Sequence, residues 1–440
     1  MRRDGYVEFT KQMRDEYTIL APNMLSIHFS LLLQVFRDEG MKIDLLDSTG
    51  PHIAEKGLKY VHNDTCYPAI LVIGQFIDAI ESGKYDPHKI ALIYFQTGGG
   101  CRASNYISLL RKALAKAGYP YIPVISFSFA GLERHSGFKL TLPIIHRLAY
   151  ALLYGDLILS LVNQTKPYEK NKGDADRLAH ELSHRLAHEM KEDGVSYAKC
   201  RAKCAEIVEM FKAIEQDRSE RKVKVGVVGE IYVKYSPLGN NALEQFLVEQ
   251  GAEAVFLGLL DFMLYSLYNS VVDYEQNRRG SYLKCRVMKW LCSFLVSKQK
   301  DIFSLIGEGG VYTVPPSFDH TLEIIKPYLN HGVKMGEGWL LPAEMLELHS
   351  MNVKNIICAQ PFGCLPNHIV GKGMMKPIRD RNPDINIVAI DYDASASRVN
   401  QENRVKLMLA NAREALLSEQ EQAQTEVRSQ TQEQKQEALV

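Results

Sequence analysis

The stretch Ile90-Ala-Leu-Ile-Tyr-Phe95-Gln-Thr-Gly-Gly-Gly-Cys101-Arg-Ala-Ser-Asn-Tyr106 decides the fold. Six consecutive apolar residues bounded by polar and glycine residues have the pattern of a strand buried on both faces. The glycines end the run, and the spacing from 104 to 117 is that of a helix. A buried strand, a tight turn and a helix in succession form the repeating unit of a parallel α/β sheet. The same unit recurs on the N-terminal side. Residues 17–20 and 42–46 read as strands, and 24–39 and 67–82 as helices, with Gly40 and Gly83 at the C-terminal caps. Residues 121–127 form a further strand.

Beyond this lobe the pattern changes and then returns. Residues 141–221 carry an almost purely helical signal, charged and amphipathic from 174 to 216. The strand pattern restarts at 222–233 with Val223, Val225, Val227 and Val228. Short strands follow at 255–257, 353–358 and 385–391, with helices at 261–304, 374–381 and 398–414. The organisation expected is therefore an N-terminal α/β lobe (1–140), a helical connecting segment (141–221) and a C-terminal α/β lobe (222–417). Residues 418–440 are rich in Gln and Glu with few apolar side chains, and are expected to be a disordered tail.

Bulk properties narrow the function. The chain has 440 residues and 46% hydrophobic content, enough for two or three domains of about 150 residues each. A formal net charge of zero gives no basic footprint for nucleic acid. The N-terminus has no apolar secretory core, and runs such as 255–264 are too short to span a bilayer. A cytoplasmic protein is expected, with no membrane and no nucleic acid as partner.

Cysteine placement carries the chemistry. Cys66 stands in Asp64-Thr-Cys-Tyr-Pro68, Cys101 follows three glycines, and Cys358 and Cys364 bracket Ala359-Gln-Pro-Phe-Gly363. Structural cysteines usually sit inside apolar runs, whereas these lie near Gly or Pro at the ends of runs. A helix start lowers a thiol pKa, and the thiolate is the form that binds metal. In a reducing compartment such thiols read as a metal or iron–sulfur site before disulfides. Open α/β sheets bind ligands beyond the carboxyl ends of their strands, so Cys66, Cys101, Cys358 and Cys364 can meet between lobes. Cys200 and Cys204 share a face of a charged helix, and Cys285 and Cys292 lie in an apolar one; both pairs read as packing. Gly98-Gly99-Gly100 lacks the residues of a nucleotide loop. It reads as a close approach of backbone to a bulky inorganic group, with amides available to sulfide. Glu230 and Glu337, each between glycine-bordered turns, are candidate catalytic carboxylates or helix caps. His62 and His368 flank the cysteine sites and read as bystanders.

Three long motifs resemble a known family. They are His62-Asn-Asp-Thr-Cys66-Tyr-Pro-Ala, Gln96-Thr-Gly-Gly-Gly-Cys101-Arg-Ala-Ser-Asn-Tyr106 and Gln360-Pro-Phe-Gly-Cys364-Leu-Pro-Asn-His368, joined by Gly336-Glu-Gly-Trp339 and Ala389-Ile-Asp-Tyr-Asp393. They are similar to the C-terminal module of the 2-hydroxyacyl-CoA dehydratase activase-related proteins. That module belongs with the 2-hydroxyacyl-CoA dehydratase subunits, benzoyl-CoA reductase subunits and double-cubane-cluster proteins. The resemblance covers residues 9–412. It implies two flavodoxin- or Rossmann-like lobes with parallel sheets and an iron–sulfur cluster in the interlobe cleft. Cys66 and Cys101 would be ligands from the first lobe, and Cys364, with Cys358 nearby, from the second. Gly99, Gly100 and Asn105 would line the cofactor. A [4Fe–4S] cluster fits the four loop cysteines better than a double cubane [8Fe–9S], which uses more. The resemblance also implies a separate ATPase activator with its own [4Fe–4S] cluster, an acyl-CoA substrate, and a homo- or heterodimer. The chain itself has no ATPase module. The expected function is an iron–sulfur redox component of an ATP-dependent reductase or 2-hydroxyacyl-CoA dehydratase. The alternatives are a non-catalytic electron relay and a double-cubane reductase of small molecules.

Overall fold

The computed structural model describes residues 6–96, 100–127, 133, 135–192 and 194–437. Among the described residues, eight strands form two parallel sheets. The first holds β1 (Thr18–Pro22), β2 (Lys42–Leu46), β3 (Ile90–Phe95) and β4 (Val124–Phe127) in the order β2-β1-β3-β4. The second holds β5 (Lys224–Gly229), β6 (Glu253–Phe256), β7 (Asn355–Pro361) and β8 (Asn386–Tyr392) in the order β6-β5-β7-β8. The two orders are the same, so the chain carries one doubly wound Rossmann-like plan twice. In each sheet the strand order reverses between its first and third strands, which opens a crevice at their carboxyl ends. Register is tight there: Leu20 faces Leu92 across β1 and β3, and Val228 faces Cys358 across β5 and β7.

Alternation along the strands sorts side chains to two faces. In β3, Leu92 and Tyr94 join a core that faces the second lobe, whereas Ala91 and Ile93 face the connecting helices. The first of these cores is shared. It takes Leu20, Leu92 and the helix Tyr67–Glu81 from one lobe, and Val225, Val227, Ile357, Ala359 and Ile390 from the other. The connecting segment folds as helices Leu142–Thr165, Asp174–Glu192 and Tyr197–Lys212, packed on the outer face of the first sheet. Cys200 and Cys204 are buried in that core, as their spacing predicts. The helix Leu142–Thr165 is long and apolar enough to cross a membrane, contrary to the expectation of no such run, but 72% of its apolar window is buried within the protein.

Several boundaries differ from the sequence reading. The strand expected over 222–233 stops at Gly229, whose φ of +143° turns the chain, and Ile231–Tyr235 is helical. A Cβ on Gly229 would collide with the carbonyl of Ala359, so only glycine lets β5 end there. The helical stretch at 261–304 is two helices, Leu260–Asn277 and Tyr282–Ile306, broken where Arg278 and Gly280 adopt positive φ. The strand ending the third cysteine motif runs on to Pro361.

The segment from 418, expected to be disordered, continues the helix Arg398–Glu437. Glu, Gln, Lys and Arg are good helix formers, so backbone order here needs no core. The last firm packing residues of this helix are Met408, Leu409 and Ala412. Past Ser418, Glu419 pairs with Lys354 at 2.9 Å, an ion pair of a surface kind worth about 1 kcal/mol or less. A chain ended at Ser418 is accordingly expected to keep its thermal midpoint within about 2 °C; a larger drop in a melting experiment would show that the distal helix docks.

Candidate functional site

Three loops meet where the lobes face each other. The amide N–H of Tyr67 donates to the carbonyl of Phe362 at 3.0 Å, tying the Cys66 loop to the Cys364 loop. Gly363, at φ +74°, lies so close to Cys66 that a Cβ there would stand 3.1 Å from the Cys66 Cα and from an Arg102 nitrogen. Arg102 in turn donates to the carbonyl of Asp64. The third contact brings Gly336, at φ +59°, beside Cys101. A Cβ on Gly336 would stand 2.7 Å from Pro366 Cγ and 3.8 Å from Cys101 Sγ. Met335 fills the space where a Cβ on Gly100 would lie. Glycine at 336 and 363 is thus required twice over, by backbone conformation and by the closeness of the cysteine loops.

Local structure positions each thiol. Cys66 is the N-cap of the helix Tyr67–Glu81, which Pro68 helps to start. Cys101 caps the short 3-10 turn Arg102–Asn105 and accepts from the amide of Ala103 at 3.5 Å. Cys364 follows the turn Pro361-Phe-Gly, after the carboxyl end of β7. Cys101 likewise follows the carboxyl end of β3, and Glu230 that of β5. The Cys101 and Cys364 loops therefore sit at the reversal points of the two sheets, while the Cys66 loop joins two helices.

Burial governs the electrostatics. The Cys66 thiol is pushed up to about 12, because loss of solvation outweighs the hydrogen bond between its sulfur and the Tyr106 hydroxyl at 2.7 Å. Without a metal, then, the helix start does not give the lowered thiol expected from sequence: desolvation wins. Cys364 is raised too, by burial and then by the charges of Glu337, Glu230 and Cys66. Cys101 also acts on Cys66. The two carboxylates form a close pair at the start of the helix Ile231–Tyr235. Glu230 accepts from the amide of Val233 at 2.9 Å, and Glu337 accepts from the amide of Ile231 at 3.1 Å. Burial, then the charge of Glu337, pushes Glu230 up to about 8. Glu337 is raised by burial. Glu230 is thus the N-cap of that helix, and Glu337 braces its first turn from a distant loop.

The remaining sequence candidates lie apart. Cys358 points from the middle of β7 into the core formed with Ile356, Ile387 and the helix Leu340–Ser350, and its sulfur approaches the Asn367 side chain at 3.7 Å. Its burial and partners are those of a packing residue. Asn105 is exposed, without a capping bond. Gly99 lies outside the described residues. His62 is exposed beside Asp64, and His368 Nδ1 is 2.7 Å from the carbonyl of Cys364. No disulfide joins any of the eight cysteines.

Sequence reading missed the aromatic wall. Tyr94 and Tyr106 stack with centroids 5.2 Å apart, and the Tyr94 hydroxyl is buried without a partner. It also missed Lys234, which is buried and grips both oxygens of Glu344 at 2.9 and 3.0 Å. These two, with Glu337, Phe262 and Leu340, line a cavity of about 10 Å³, room for one water. A lysine in a strand-like valine run gives no sequence signal for such a pair.

Among the described residues, no group of three or more His, Cys, Asp or Glu side chains is gathered closely enough to hold a single metal ion. A single ion draws its ligands to about 2.0–2.3 Å from itself. A cubane binds each thiolate at a different iron and so accepts a wider set. Here three thiols stand on three neighbouring loops, packed through Gly336 against Pro366 and Gly100 against Met335, with the Tyr94 hydroxyl buried without a partner. Neither a scan against protein-family models nor a search of curated proteins found a match to this chain.

Proposed function

We propose that this chain is an iron–sulfur redox component of the 2-hydroxyacyl-CoA dehydratase type, with Cys66, Cys101 and Cys364 as the cluster ligands. The observation that carries the reading is the meeting of three cysteine loops from two parallel α/β lobes, through the Tyr67–Phe362 bond and the Gly336–Cys101 approach. Three protein thiolates fit a [4Fe–4S] cluster with one open iron better than a double cubane. When bound, the cluster would supply one-electron chemistry at low potential, and its partner would be a separate ATP-hydrolysing activator. The substrate class is an acyl-CoA thioester.

The chain's own residues supply the surroundings. Tyr106 hydrogen-bonds the Cys66 sulfur, a contact of the kind that tunes cluster potential. Burial by Tyr94, Tyr106 and the shared core excludes water and disfavours added negative charge, which lowers the potential. Glu230, whose pKa burial and then the charge of Glu337 raise, is placed to hold a proton at its carboxyl next to Glu337. A non-catalytic relay is the second reading, favoured by the cavity at Glu337, which at about 10 Å³ holds a water and no thioester.

The test is cluster reduction by the reduced activator, followed by stopped-flow absorbance and EPR with and without MgATP. Reduction is expected only with both activator and nucleotide. Rapid reduction by dithionite alone, indifferent to activator and MgATP, would favour the relay and count against the ATP-driven reading.

A further inference from the structure

A second cavity, of about 30 Å³, lies where the connecting helix Leu142–Thr165 meets the second lobe. It has room for about two waters, or for one small ion and a water. The carboxylates of Asp156, Glu253, Asp261 and Glu347 line it, with the carboxamides of Asn163 and Gln299, and no cysteine does. Most of these groups are matched within the protein. Asp156 bonds His28 at 2.6 Å and accepts from the amides of Leu259 and Leu260 at 2.7 and 2.9 Å. Glu253 accepts from the Tyr168 hydroxyl at 2.8 Å and pairs with Lys224 at 3.4 Å. Gln299 donates to Asp261 at 2.6 Å.

Two buried atoms lining the cavity are left over, and both are acceptors. Glu347, 1% exposed, takes the Thr321 hydroxyl on one oxygen at 2.9 Å, while Oε1 has no partner in the protein. Asn163, 5% exposed, donates its nitrogen to the carbonyl of Phe256 at 3.3 Å. That bond fixes the amide's orientation and leaves Oδ1 unpartnered. Lone oxygens of this kind are costly when buried, and what completes them carries positive charge or hydrogen-bond donors. The Lys234 ammonium is committed to Glu344. Among the described residues no three His, Cys, Asp or Glu side chains gather around one point, as a tightly held divalent ion asks. Burial pushes Asp261 up to about 7, and burial, then the charge of Asp261, raises Glu347. The pair thus resists carrying two full charges, which favours an ion of single charge. Among such ions potassium and ammonium leave water more cheaply than sodium, because the cost of desolvation falls as the ion grows.

We propose that this cavity binds a monovalent cation of potassium or ammonium size, held by the Asn163 amide oxygen and the Glu347 carboxylate. The ion would clamp the connecting helix, which carries Asn163, to the second lobe, which carries Glu347 and Asp261.

The site is independent of the cluster reading. It is tested by thermal unfolding of the full chain, a single preparation being exchanged into potassium, ammonium, sodium or choline chloride at equal ionic strength, which holds screening constant. Potassium and ammonium should raise the midpoint over choline by about 2 °C or more at saturation, as a ligand of the native state does, and sodium should raise it less. Glu347→Gln and Asn163→Ala should each remove most of that increment; either suffices if the other does not fold. A native crystal soaked in rubidium should show an anomalous peak in contact with Asn163 Oδ1 and Glu347 Oε1. Equal midpoints in all four salts would overturn the proposal, as would a potassium shift kept in full by both variants or a rubidium soak without that peak. A shift given by magnesium and not by potassium would overturn the assigned charge.

Discussion

Protein carrying Cys101→Ser, purified without oxygen, is expected to be nearly colourless and to have lost most of its iron and the EPR signal of the reduced cluster. Cys101 follows the carboxyl end of β3, at the reversal point of the first sheet, with Gly336 of the second lobe beside it. Serine offers a harder oxygen, which iron–sulfur clusters accept poorly. The control is Cys200→Ser. Cys200 is buried in the core of the connecting helices, its sulfur 4.0 Å from that of Cys204. That substitution should cost packing and leave iron and colour intact. The readouts are iron and sulfide quantification with EPR. If both variants keep a full complement of iron, the division into ligands and packing cysteines is wrong.

Lys234→Met should be among the most destabilising single changes in the protein. The ammonium of Lys234 bonds both oxygens of Glu344, and the two residues are 2% and 7% exposed. Removing the cation strands a buried carboxylate, which costs about 3–5 kcal/mol. Glu344 already feels burial as its largest influence, which raises its pKa, and Lys234 is what opposes that. Glu347 lies in the same charge network, so the loss spreads beyond one pair. Adding Glu344→Leu to Lys234→Met should return most of the stability, because two apolar residues replace two charges. Urea unfolding of the single and double variants checks this. A single variant costing no more than about 1 kcal/mol, the size of a surface pair, would mean the carboxylate simply takes up a proton.

The sequence made the strand–glycine–helix unit legible because a buried parallel strand leaves an unbroken apolar run, as at Ile90–Phe95. The end of β5 was not legible, since Ile231, Tyr232 and Val233 prolong the strand-like composition past Gly229. What stops the strand is a long-range contact, the carbonyl of Ala359 against Gly229. The cysteine loops stood out through their flanking Gly and Pro. Reading Cys358 as a ligand places it at the carboxyl end of a strand over 353–358, whereas the strand runs on to Pro361. Cys358 is therefore mid-strand, and the period of two turns it into the core, away from the face of Ile357 and Ala359. Glu230 and Glu337 were visible as glycine-bordered acids, but their pairing across 107 positions was not, nor was the contact of Tyr106 with Cys66.

The core shared by the two lobes has a consequence for how the protein is made. A ribosome releases the first sheet and the helix Tyr67–Glu81 long before Ile357, Ala359 and Ile390 exist to cover them. At ordinary rates of synthesis the interval is on the order of tens of seconds. Throughout it, one whole apolar side of a nascent lobe is without its mate. The first half cannot mature as a separate unit, and two halves supplied as separate genes would each begin life with an unsatisfied face. Chaperone capture during translation is the natural remedy, and the contacts that join the Cys66 and Cys101 loops to the second lobe form only once that lobe has been made.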